Sequence, residues 1–241
     1  MPDIKVGPWF KRCPKNNCTP LINFLVTSST APIITTNGDV NIIDNNDGTF
    51  TVWCDNNVVN KPTYINFRRE ADAPDNANIT KIDAIYAIGL TTMYRMFMDL
   101  PNVTEINFGP GFDTSLVNDM SYMFSQCDNL QFLDISVFDV TNVKSVSNQY
   151  YGFEHMFSSC ENVVYIKMPY NIDVVKPQAS MDYMFGWCYD LTCIDKIDTT
   201  NATSTTNMFY ACNNLTAPDS TAQSDIQNKT NQPWVNTNTC P

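Results

Sequence analysis

The chain has 241 residues, of which 43% are hydrophobic and only 16% charged, with a formal net charge of −11. That apolar share supports a packed core and excludes global disorder, while the acidic balance lacks the clustered Lys and Arg that a nucleic-acid partner requires. No apolar run approaches the ~20 residues that carry a helix across a bilayer, so no membrane insertion is expected.

Residues 1–78 read as a small β-rich docking domain with an N-terminal arm. Lys5, Lys11 and Arg12 have no apolar stretch behind them, so no signal peptide is read there. The arm holds Gly7, Pro8, Trp9 and Phe10, a segment suited to docking on a partner. Three runs rich in β-branched residues follow, at Ile33–Thr36, Val40–Ile43 and Thr49–Cys54. Asp44 to Gly48 between the last two is a hairpin turn, and it resembles a calcium loop only superficially because its acidic positions fall out of register. Tyr64–Phe67 adds a possible strand, and 72–78 reads as a linker.

From residue 79 to 219 the chain repeats itself. Met96-Phe97, Met123-Phe124, Met156-Phe157, Met184-Phe185 and Met208-Phe209 each precede, by three residues, Leu100 or one of Cys127, Cys160, Cys188 and Cys212. Met93, Met96, Phe97 and Leu100 have the spacing of one helix stripe, so each repeat is expected to open with a short helix. Leu133 and Ile135, with counterparts Ile106 and Phe108, then Ile166 and Met168, then Ile194, predict a strand after each helix and a parallel ladder between repeats. Phe112-Asp113, Phe138-Asp139, Ile172-Asp173 and Ile197-Asp198 follow. The apolar member is expected to plug a corner and the Asp to fix a turn through backbone N–H groups rather than to bind metal. Leu215 followed by Pro218 ends the pattern as a cap.

The string from Asp119 to Asp139 (DMSYMFSQCDNLQFLDISVFD) resembles the BspA-type leucine-rich-like repeats. Those occur in bacterial surface proteins and mycoplasma lipoproteins, and in some phages and large viruses. The resemblance covers about residues 90–217 and implies adhesion or partner binding without catalysis. The expected class is α+β: a short leucine-rich-repeat-like solenoid of about five coils, helix plus strand in each, joined to the β-rich domain.

Departures from the repeat point to candidate contacts. The Met-Phe pairs at 96, 123, 156, 184 and 208 are spaced by 27, 33, 28 and 24 residues. From the corner Asp to the next Met the distance is 10, 17, 11 and 10 residues, so the third repeat carries about seven extra within 144–152, with Tyr150 and Tyr151 near the end. Insertions in stacked repeats form loops, often on the binding face, and Tyr is a favoured contact residue. The position before each Met holds Arg95, Tyr122, His155, Tyr183 and Asn207. Such rings serve either as cover for the core or as a contact column. Trp187, beyond Phe185, falls off the apolar stripe and is expected at the surface.

Residues 220–241 form a polar tail with Trp234 as its only aromatic residue. The four repeat cysteines read as reduced core thiols. Cys13, Cys18, Cys54, Cys193 and Cys240 are left open between free thiols and disulfides; a metal knuckle from four of them is a lesser alternative. No P-loop, dinucleotide fingerprint, zinc-protease helix or nucleophile elbow appears, so no enzyme, cofactor or metal is expected. The expected role is a structural or attachment protein on the surface of a virion, part of a homo- or hetero-oligomeric assembly. Its partner would be a protein of that assembly, or a host-surface protein or glycan. The alternative is a bacterial adhesin or lipoprotein ectodomain.

Overall fold

A computed structural model describes residues 33–36, 40–44, 49–54, 79–87, 90–146, 150–172, 178–194, 197–215 and 235–236. Strands β1 (Ile33–Thr36), β2 (Val40–Asp44) and β3 (Thr49–Cys54) are antiparallel neighbours, as their β-branched runs predict. β3 pairs parallel with β4 (Lys81–Ala87), and β4 with β5 (Glu105–Phe112). One sheet of order β1-β2-β3-β4-β5 therefore takes strands from both sides of residue 78. The arm, the turn at 45–48, the run 64–67, the linker 72–78 and Pro218 lie outside the described residues.

The second, third and fourth repeats each contribute one short strand to a parallel sheet. β6 (Phe132–Asp134) precedes a two-stranded hairpin of β7 (Ser145–Val146) and β8 (Tyr150–Tyr151). β9 (Tyr165–Lys167) and β10 (Cys193–Ile194) follow, then β11 (Ile197–Asp198), which pairs antiparallel with β12 (Val235–Asn236) from the tail. β6, β9 and β10 are parallel, the pairing that the strand alternation predicts. Their register puts Leu133, Ile166 and Ile194 in one row, and Ile82 faces Ile106 in the first sheet. All five are buried.

The helices expected over the Met-Phe segments are not there. Each segment is a run of turns, in which Met96 N–H donates to Met93 C=O, Met98 to Arg95, Met156 to Phe153 and Cys160 to Phe157, three residues back. The alternate N–H groups point the other way, into the next repeat. Met93, Arg95, Phe97 and Asp99 donate to the carbonyls of Asp119, Ser121, Met123 and Ser125 at 2.8–3.1 Å. Met120, Tyr122, Phe124 and Gln126 do the same to Gly152, Glu154, Met156 and Ser158 at 2.8–2.9 Å, and the third and fourth repeats continue it. An α-helix spends its interior N–H groups along its own axis. The turn run keeps every second donor for its neighbour, so repeats are joined by backbone bonds as well as by packing.

The apolar stripe is buried as the spacing requires, although the element is different. Phe97, Phe124, Phe157, Phe185 and Phe209 stack through all five repeats with centroids 5.3–5.6 Å apart and planes within 15°. Burying each ring contributes about 1.5–3 kcal/mol. The four repeat cysteines are reduced and buried, and each also works as a donor. The thiols of Cys127, Cys160, Cys188 and Cys212 donate to the carbonyls of Phe97, Phe124, Phe157 and Phe185 at 2.9–3.1 Å. Burial pushes the thiols of Cys160 and Cys212 up to about 12, so the proton that makes this bond stays in place. Phe112, Phe138, Ile172 and Ile197 are buried corner plugs. Asp113, Asp139 and Asp198 accept the N–H two residues on, from Ser115, Thr141 and Thr200, each at 2.9 Å. That is the turn-fixing role read for them. Among the described residues no His, Cys, Asp and Glu side chains converge as a metal cluster.

Candidate functional site

The residue before each repeat Met, and the one three after it, take a left-handed backbone: Arg95 and Asp99, Tyr122 and Gln126, His155 and Ser159, Tyr183 and Trp187, Asn207 and Ala211, with φ of 52–64°. None is glycine, and this conformation costs an L-residue about 1–2 kcal/mol. The bonds between repeats hold it in place: N–H groups of Arg95, Tyr122, His155 and Tyr183 donate to Ser121, Glu154, Asp182 and Thr206. One consequence is that equivalent side chains land one strand spacing apart, the distance at which planar rings stack.

Tyr122, His155, Tyr183 and Trp187 form one continuous stack on the surface. Centroids are 4.7 Å apart from Tyr122 to His155, 4.9 Å from His155 to Tyr183 and 5.4 Å from Tyr183 to Trp187, with planes within 13°. Trp187, expected at the surface, is half-buried here. At the head of the stack the Arg95 guanidinium lies 4.8 Å from the Tyr94 ring centre and 5.1 Å from that of Tyr122. Its Nε is buried with no hydrogen-bond partner among the described residues. At the far end Tyr210 meets Trp187 edge-on at 5.1 Å, and Asn207 donates to the Tyr183 hydroxyl at 2.6 Å. Tyr94 and Tyr210 were not singled out from sequence. Each lies next to or two residues from a repeat position, so they blend into ordinary flanking residues until the stack is seen.

The insertion in the third repeat is a β-hairpin that leaves and rejoins the stack beside this ribbon. Lys144 N–H donates to Asn118 C=O and Ser145 N–H to Gln178 C=O, while Ser145 Oγ accepts from Ser180 N–H at 2.6 Å. Asp119, buried in the second repeat, accepts from Ser121 N–H at 3.0 Å and Ser121 Oγ at 2.7 Å, and takes backbone bonds from Tyr151 and Gly152. Burial outweighs these bonds and raises its carboxyl above the usual range. Tyr151 is 48% exposed and close enough to act electrostatically on Tyr122. Tyr150 is its neighbour on β8.

Around the middle of the ribbon the charges are acidic. Glu154 Oε1 lies 4.0 Å from His155 Nε2, and burial, then Asp182, then Asp119 raise its carboxyl. Burial lowers the affinity of His155 for a proton, against a smaller opposing pull from Asp182, so the imidazole is neutral at pH 7.

These features define a repeat protein with an aromatic surface ribbon built into its backbone ladder. The family described as "Mycoplasma protein of unknown function, DUF285" matches residues 66–164 and again 152–235. The chain belongs to that family. No curated protein and no solved structure matches it.

Proposed function

We propose that this is a non-enzymatic recognition protein, a short BspA-like solenoid that binds a macromolecular partner through the ribbon and the hairpin beside it. The carrying observation is the unbroken run from Arg95 over Tyr122, His155 and Tyr183 to Trp187, with exposed Tyr151 at its flank. Interface centres are enriched in Tyr, Trp and Arg, which supply contact area at low entropic cost. His155 is sandwiched between two tyrosine rings rather than set against a nucleophile, which fits binding better than acid–base chemistry.

Two settings suit such a protein: the surface of a virion, and a bacterial cell surface as an adhesin or lipoprotein ectodomain. The disulfide at Cys193 favours the second, because structural disulfides persist in oxidising surroundings. The family description, which speaks of Mycoplasma, agrees with it.

Protein and glycan microarrays probed with labelled wild type and Tyr151→Ala test the role. The variant is expected to melt at the wild-type temperature and lose its array signal; an unchanged signal overturns the reading. Protease shaving of intact cells, followed by mass spectrometry of released peptides, tests the placement.

A further inference from the structure

Resting on that reading, we infer that the ribbon's partner is a basic protein segment, whose Lys or Arg side chain is received by Glu154 at the middle of the aromatic stack. Three observations carry the choice of class. The ring faces are already used: His155 lies between Tyr122 and Tyr183, and Tyr183 lies between His155 and Trp187. A ligand that binds by lying flat on a ring, as a sugar or a base does, finds no free face in the middle of the stack. What remains outward is ring edges, hydroxyls and charge.

That charge has one sign. Glu154 is three-quarters buried and stands near Asp182 and Asp119. Asp119 and Asp182 are already engaged, Asp119 by Ser121 and the backbone of Tyr151 and Gly152, and Asp182 by the Ser204 hydroxyl and the Thr206 N–H. The lysine ion pairs among the described residues, from Lys81 and Lys167, are on the strands. Among the described residues Glu154 has only His155 within ion-pair range. A largely buried carboxylate beside other carboxylates gains from an incoming cation more than an exposed one would.

The same surface already accommodates a cation from its own chain. Arg95 occupies the head of the stack, between Tyr94 and Tyr122, where later repeats place rings or Asn207. A partner's cation would meet the same stack two repeats further along, at the ring edges and with the Glu154 carboxylate added, whereas Arg95 lies over ring faces.

The test uses the full chain and a labelled oligo-arginine peptide, with the same peptide carrying neutral citrulline as control. A glycan array runs in parallel. Saturable binding is expected for the arginine peptide at physiological salt and not for the citrulline peptide. Glu154→Gln should weaken it about tenfold, a loss of 1.4 kcal/mol. Asp128→Asn, which removes one negative charge beside Asp99 and Glu161 in a different turn, should leave it near wild type. Equal losses in the two variants, or equal binding of both peptides, would overturn the inference as general attraction to an acidic protein. Glycan binding lost in Tyr151→Ala, with no arginine-peptide binding, would sink the basic partner while keeping the ribbon as a binding surface. If neither ligand class responds to Glu154→Gln or Tyr151→Ala, both readings fall.

Discussion

Ten residues other than glycine hold a left-handed backbone in the described repeats, and they explain both the cost and the use of this architecture. Gln126 is exposed, and its N–H bond to Ser158 does not need its side chain. Gln126→Gly removes the Cβ strain and adds backbone entropy to the unfolded chain, leaving a net gain of about 0.5–1 kcal/mol. Urea denaturation should show a higher midpoint for the variant. Tyr122, His155 and Tyr183 keep the same strained geometry because their rings stack there. The protein's only histidine also sets a pH response. Its folded pKa lies below the unfolded value of about 6.5, so its contribution is complete above that pH. It is lost as pH falls from there toward the lowered folded value. NMR of the single imidazole should titrate below 6.5. His155→Gln should lessen the fall in stability across that interval, and an imidazole midpoint above 6.5 would refute the account. The column at 95, 122, 155, 183 and 207 was legible from the repeat alone. That the side chains stack was not, because stacking depends on the left-handed backbone.

At the scale of the element, the Met-Phe segments show why a helical spacing did not make a helix. Positions such as Met93, Met96, Phe97 and Leu100 face one side in either form, so the apolar pattern cannot separate them. Hydrogen bonding does: a following repeat that accepts every second N–H, and a preceding one that donates to the segment's carbonyls, favour the turn run, and neighbours are invisible in a local window. The insertion at 144–152 was visible as a break in spacing, and the structure gives it a form. Gly152 closes the hairpin with φ of 73°, and an added Cβ would sit 2.5 Å from the Ala179 Cβ. Gly152→Ala should therefore cost at least about 2 kcal/mol from backbone strain and overpacking. Pairing it with Ala179→Gly should recover part of that loss by relieving the clash. A double-mutant cycle in urea measures both, and a neutral Gly152→Ala would disprove the packing described.

Across the whole molecule, β-bonding runs from β1 to β5 in one sheet and joins β6, β9 and β10 in the next, while the phenylalanine stack continues through all five repeats. The tail returns to the fourth repeat through β12 on β11. Cys193 is in a disulfide, and the four repeat thiols are free, which leaves Cys13, Cys18, Cys54 and Cys240 as possible partners. Ile197 pairs with Asn236, and Cys193 and Cys240 are each four residues from that pair in the sequence. Non-reducing peptide mapping should recover a Cys193–Cys240 cross-link. Its reduction should lower stability by about 2–4 kcal/mol, as is usual for a loop of this order. A Cys193 peptide joined to another cysteine would refute the assignment.

Sequence alone determined the number of repeats, their buried stripe, the corner turns, the reduced core cysteines and the place of the insertion. These follow from period and side-chain chemistry, which a single chain displays along its length. Tertiary structure alone decided that the segments are turns, that the column before each Met is a stacked ribbon, and that its middle is acidic. Each of these depends on which group faces which across a gap of 24 to 33 residues, and only the ladder between repeats sets that register.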